Sequence, residues 1–229
     1  MLSVVGYQLF VTRQSMTIKS ILVSFIKMKK EIKKVTVYAA SSAKVAPKYF
    51  EAAKALGKTL AQHDITTVYG AGEVGLMGAL ANSALAEGGE VVGIIPQFMI
   101  DVEWGHKGIT ETIITETMRE RKYLLYKDAD AIAVLPGGCG TLEEVMEVIS
   151  LKRLGRFFKP IIFINTDGYY DPLIQMLERC VEEKFMQERH AEMWQVLDDP
   201  TQIVDMIRQT EDWDENAIEF AVLGVENRK

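Results

Sequence analysis

Residues Ala131 to Leu154 read AIAVLPGGCGTLEEVMEVISLKRL. The continuous apolar run Ala131–Leu135 enters a loop of Pro136, Gly137, Gly138, Cys139 and Gly140, and a helical pattern takes over at Thr141. A strand apolar on every residue belongs to a parallel sheet covered on both faces. Working outward, β-branched runs recur at Lys34–Ala39, Ile65–Tyr69, Glu90–Ile95 and Pro160–Ile164. Helical stretches separate them at Tyr49–His63, Gly75–Glu87, Glu116–Lys127 and Tyr170–Phe185. The alternation predicts a doubly wound α/β fold, a mostly parallel sheet between two helical layers. Such folds bind ligands beyond the carboxyl ends of their strands, so the strand-to-helix loops are the place to look for function.

The chain has 229 residues, 48% of them hydrophobic and 25% charged, which is the globular norm and excludes disorder or a collagen-like repeat. Twenty-six basic against 32 acidic residues give a formal charge of −6, which argues against a general nucleic-acid binder. Two separated cysteines, Cys139 and Cys180, make neither a disulfide framework nor a zinc cluster and fit a reducing cytoplasm. Residues 1–32 form an N-terminal extension, peripheral or disordered, ahead of a single domain over residues 33–210 and a tail over 211–229. The apolar stretch Ile18–Met28 is interrupted by Lys19 and Lys27 and falls well short of the roughly 20 residues of a membrane span.

Two loops are rich in glycine. Gly70-Ala71-Gly72-Glu73-Val74-Gly75 has the G-x-G-x-x-G form of a dinucleotide fingerprint. The acid that should hold the ribose is missing after the next strand, which ends Ile95-Pro96-Gln97, so a nicotinamide-dependent oxidoreductase is disfavoured. Close helix–strand packing explains those glycines as well. The Pro136–Thr141 loop is suited to an anion, because glycines let N–H groups converge at a helix N-terminus. Thr141-x-x-Glu144 is equally a capping box, and Glu144 cannot both close a cap and face a ligand. On the preceding helix, Arg121 falls within the apolar stripe of Met118, Leu124 and Leu125. A charge there is either a structural ion pair or an arginine aimed into a cleft. The helix after the loop is apolar on two sides, with Leu142, Val145, Met146 and Ile149 on one and Val148 and Leu151 on the other, so a partner subunit is expected to cover the second.

Met118-Arg119-Glu120-Arg121-Lys122 and Pro136-Gly137-Gly138-Cys139-Gly140-Thr141-Leu142-Glu143-Glu144 together resemble the signature of the lonely-guy family of nucleoside 5′-monophosphate phosphoribohydrolases. The resemblance extends through Val37–Ser42, Gly72–Gly78 and Asp167–Tyr170. It implies a Rossmann-like three-layer fold, a homodimer or larger assembly, and cleavage of adenine-type nucleotides, adenosine monophosphate or N6-substituted cytokinin nucleotides, to free base and ribose 5-phosphate. It also implies that Arg121 and Glu144 are catalytic and that Gly138, Gly140 and Thr141 hold the phosphate. Glu103, Lys122, Ser150, Ser41, Gly72 and Met77 would bind the rest of the substrate, Ser150 standing where a threonine is usual.

This sequence departs from the family at Ala39-Ala40 and at Gly70-Ala71-Gly72, which add small side chains near the pocket floor and bear on base preference. Members have also been labelled lysine decarboxylases, yet no lysine here has an evident cofactor-binding context. No metal and no cofactor is expected, since the chemistry needs only a carboxylate and an oriented water. A nucleotide- or cofactor-binding carrier of the same fold, without turnover, is the competing reading. The pair Arg121 and Glu144 discriminates, because a pure binder has little use for it.

Overall fold

The computed structural model describes residues 31–101 and 105–221. The expected extension is outside the described residues up to position 30, and so is Glu103. Seven parallel strands form one sheet in the order β4-β3-β2-β1-β5-β6-β7. They are β1 Lys34–Tyr38, β2 Thr66–Tyr69, β3 Val91–Pro96, β4 Glu111–Thr115, β5 Ala131–Val134, β6 Ile161–Ile164 and β7 Gln195–Leu197. The helices are α1 Pro47–Gln62, α2 Gly75–Ala86, the short α3 Gln97–Ile100, α4 Met118–Lys127, α5 Cys139–Arg153, α6 Asp171–Glu182 and α7 Ile203–Gln209.

The period-2 alternation of strands builds two cores. Val35, Val37, Ala131, Ala133, Ile162 and Ile164 face one way, onto Leu56 and Leu60 of α1, Leu76 and Leu80 of α2, and Ile203 and Ile207 of α7. Tyr38, Ile132, Val134, Ile161 and Phe163 face the other way, onto Leu125 of α4, Val145 and Val148 of α5, and Leu177 of α6. Strands β5 and β6 are buried at every position, which is why their sequences carry no polar residue. The chain order reverses between β1 and β5, so a crevice opens beyond the ends of these two strands.

The expected α/β architecture is the observed one. Both edge strands, β4 and β7, lack a continuous apolar run and escape the sequence reading. Residues 211–220, expected to form part of a tail, pack against the second core, where Trp213 and Ala217 are buried. The same segment changes the reading of α5. Its second apolar side is covered by the 3₁₀ turns Glu188–Met193 and Ala217–Phe220 of the same chain, with Val148 buried beside Trp213 and Ala217 in one cluster. That side therefore calls for no partner. Among the described residues, no helix is long and apolar enough to cross a membrane.

Candidate active site

The two glycine loops behave differently. Helix α2 begins at Gly75, whose positive φ of 71° brings it against the backbone of Ser41. The N–H groups of Leu76 and Met77 donate to the carbonyl of Ala40, at 2.9 and 3.3 Å. The first turn of α2 is thus engaged by the β1 loop and has little left for an anion. Ala71 takes the left-handed conformation in this loop, with φ 60°, and is almost fully buried. It lies against Gly93 and does not line the cavity described below, whereas Ala39 and Ala40 do. Of the two departures expected at the pocket floor, only the Ala39-Ala40 pair reaches it.

Helix α5 starts two residues earlier than expected, at Cys139. Gly138 is its N-cap in extended conformation, and no side chain caps it. Thr141 lies within the first turn, so of the two alternatives for Thr141 and Glu144 the capping box does not form. Glu144 turns instead to α4, where Arg121 Nη1 donates to its Oε1 at 2.8 Å. Arg121 is held from its other side by Nε, which donates to the carbonyl of Ile94 on β3 at 3.1 Å. Gly70 leaves the room for this guanidinium, since a Cβ there would overlap Arg121 Nη2. Both partners are largely buried, with 9% and 12% of their side chains exposed. Burial pushes the Glu144 carboxyl above its ordinary range, and the charge and hydrogen bond of Arg121 oppose the rise without cancelling it. The carboxylate is therefore more basic than an ordinary glutamate.

Two cavities meet at Arg121, sharing Ser41, Gly70, Met77 and Met99. The more polar one, about 370 Å³, is lined by the first turn of α5 (Gly138, Cys139, Gly140, Thr141), by Glu144, and by Tyr38 through Ser42. The other, about 300 Å³, is bounded by Gly72, Val74, Met77, Ile95 and Met99. The first N–H groups of α5 have no intrahelical acceptor and open on the polar cavity, an arrangement suited to an anion. No lysine among the described residues lines either cavity. Among the described residues, no three His, Cys, Asp or Glu side chains cluster as metal ligands would.

The structure brings Arg121, Glu144, Gly138, Gly140, Thr141, Ser41, Gly72 and Met77 to these two cavities. Two expected residues are not brought there. Lys122 lines neither cavity; it pairs with Glu147 at 2.8 Å and with Glu143 at 2.5 Å, and of these two Glu143 does border the polar cavity. Ser150 is exposed and donates to the carbonyl of Met146, one turn back on its own helix, at 2.8 Å. Sequence reasoning missed Met99, on the short α3 after Pro96, and Tyr38, a phenol at the end of β1 held well above its usual range by burial and by Glu144. The residue type of Tyr38 was visible, but not that its end of β1 opens on the cavity.

A protein family described as possible lysine decarboxylase matches residues 77–207. The cytokinin riboside 5′-monophosphate phosphoribohydrolase of Rhodococcoides fascians is 41% identical over 155 residues, covering 67% of this chain and 78% of that protein. One from Arabidopsis thaliana is 39% identical over 158 residues, covering 69% and 73%. Among solved structures, the molybdenum cofactor carrier protein of Chlamydomonas reinhardtii superposes with a TM-score of 0.59 at 17% identity, covering 77% of this chain and 98% of that one. That last likeness is one of fold. With the M-x-x-R-K helix and the P-G-G-x-G-T-x-x-E loop meeting at one crevice, the chain belongs to the family described as possible lysine decarboxylase, the one that holds the cytokinin riboside 5′-monophosphate phosphoribohydrolases.

Proposed function

We propose that this chain hydrolyses the bond between C1′ and the base nitrogen of adenine-type nucleoside 5′-monophosphates, releasing free base and ribose 5-phosphate. The observation that carries the reading is the placement of Glu144. The early start of α5 puts it well past the cap, and it pairs with Arg121 in the cavity.

In this reading the first turn of α5 grips the 5′-phosphate with Gly138, Gly140 and Thr141, which fixes the sugar beside Glu144. Cleavage leaves the bonding electron pair on the base and builds positive charge on the ribose. The Glu144 carboxylate stabilises that charge and accepts a proton from the water whose oxygen joins C1′. The departing base takes up a proton from solvent at its ring nitrogen, and Glu144 returns the one it accepted, so that one water is consumed. Arg121 holds Glu144 ionised and oriented. The less polar cavity, with Met77, Ile95 and Met99, suits an adenine ring and an apolar substituent on N6. Glu103 remains a candidate for the same pocket by the family pattern.

Self-association as a homodimer is part of the proposal, supported by the exposed apolar side chains Met118 and Tyr123 of α4 and Met146 of α5. A cytoplasmic location fits a nucleotide substrate and two free cysteines. The test is chromatographic release of free base from adenosine monophosphate and from adenosine. The monophosphate should be cleaved and the nucleoside essentially not. Equal rates would remove the phosphate loop from the account, and tight nucleotide binding without any base release would make the chain a carrier.

A further inference from the structure

Directly behind the α5 loop lie two consecutive tyrosines. Tyr169 Oη donates to the carbonyl of Gly137 at 2.7 Å, and Tyr170 Oη donates to the carbonyl of Leu135 at 2.8 Å. The turn that presents them is strongly built. Asp167 and Gly168 both have positive φ, and Asn165 accepts from the N–H of Tyr170 while donating to Asp171. Lys48 pairs with Asp167, and the ring of Tyr49 meets that of Tyr169 edge-on at 5.6 Å. The start of α1 is thereby tied to the same point.

The two hydroxyls have different consequences. In a trans peptide the carbonyl of one residue and the N–H of the next point in opposite directions. Leu135 is followed by Pro136, which has no N–H, so the bond from Tyr170 orients no donor. Gly137 is followed by Gly138. Its carbonyl faces Tyr169, and Gly137 itself does not line the polar cavity, whereas Gly138 does. Drawing the Gly137 carbonyl back therefore turns the Gly138 N–H forward. Glycines on both sides leave that peptide free to rotate if nothing holds it.

We propose that Tyr169 is a positioning residue, whose hydroxyl sets the Gly137–Gly138 peptide so that the Gly138 N–H faces the phosphate of the substrate. The inference rests on the phosphate-loop reading above. Tyr170 does the corresponding work for the fold alone.

The experiment is calorimetric titration of wild type, Tyr169→Phe and Tyr170→Phe with ribose 5-phosphate and, separately, with adenine, alongside KM and kcat for adenosine monophosphate. Phenylalanine keeps the ring contacts with Tyr49 and Tyr170 and removes only the hydroxyl. Tyr169→Phe should weaken ribose 5-phosphate by about fivefold to tenfold, the worth of one lost hydrogen bond, and leave adenine unchanged. KM should rise by a similar factor, with kcat moving less and the melting temperature hardly at all. Tyr170→Phe should lower the melting temperature without that selectivity. Unchanged ribose 5-phosphate affinity in Tyr169→Phe overturns the proposal. So does equal weakening of both ligands or a large loss of stability, either of which assigns the hydroxyl to the fold. Failure of the wild type to release base would refute the hydrolase reading while these titrations still decide the role of Tyr169. Failure of the wild type to bind ribose 5-phosphate overturns both.

Discussion

Arg121 Nη1 lies 2.8 Å from Glu144 Oε1, a charged pair that joins α4 to α5 with most of both side chains withdrawn from water. A second bond from Arg121 to the carbonyl of Ile94 fixes the guanidinium over the end of β3. The carboxylate is thus presented to the cavity by a side chain that is itself anchored at both ends.

Removing one member of this pair leaves the other buried and uncompensated. Arg121→Met is expected to cost about 3–5 kcal/mol of stability, and Arg121→Met combined with Glu144→Gln should recover most of it. Urea unfolding of the two single variants and the double variant measures this directly. A double variant no more stable than Arg121→Met would mean that the arginine contributes through packing and its bond to Ile94.

Gly70 offers a gentler perturbation. A methyl group there overlaps Arg121 Nη2, the far end of a flexible side chain, so the fold can yield at little cost. Gly70→Ala should melt within a few degrees of wild type yet lose up to about a hundredfold in kcat, because a displaced guanidinium no longer sets Glu144. Wild-type turnover in this variant would show that the seat of the arginine is not critical.

Away from the site, His190 is fully buried. Its Nδ1 accepts the N–H of Gln187 at 3.0 Å, and its Nε2 has no hydrogen-bond partner among the described residues. Burial, with Arg153 and Arg189 nearby, holds its pKa below the ordinary 6.5. The folded chain therefore keeps it neutral at a pH where the unfolded chain has already taken up a proton. Stability should fall as pH drops below about 6.5, because the unfolded state binds the extra proton. Urea midpoints at about pH 7.5 and about pH 5.5 should separate for wild type, and the separation should shrink in His190→Phe. An equal separation in both would place the acid sensitivity elsewhere.

The sheet is legible in the sequence where strands are buried on both faces. Ala131–Val134 and Ile161–Ile164 announce themselves by unbroken apolar runs. At the edges, Glu111–Thr115 and Gln195–Leu197 are short and partly polar, and their strand character comes from pairing with β3 and β6. The burial of Arg121 is legible because a charge interrupts an apolar stripe. The direction of Lys122 is not, since Glu143 and Glu147 draw it across to another helix, a relation that spacing within α4 cannot carry. The start of α5 is misread for a similar reason, as neither Cys139 nor Gly140 marks a helical turn. The tie between Tyr169 and Gly137 spans the chain from one strand-end loop to the next and has no local signal at all.

Turnover of Glu144→Gln tests the central claim most directly. Glutamine keeps the size of the side chain and can still meet Arg121, but it carries no negative charge. With Glu144 as the group that stabilises the ribosyl cation, base release from adenosine monophosphate should fall by about a hundredfold or more, with nucleotide affinity little changed. Near wild-type turnover in Glu144→Gln would contradict the account and leave the Arg121–Glu144 pair a structural ion pair beside a nucleotide-binding crevice.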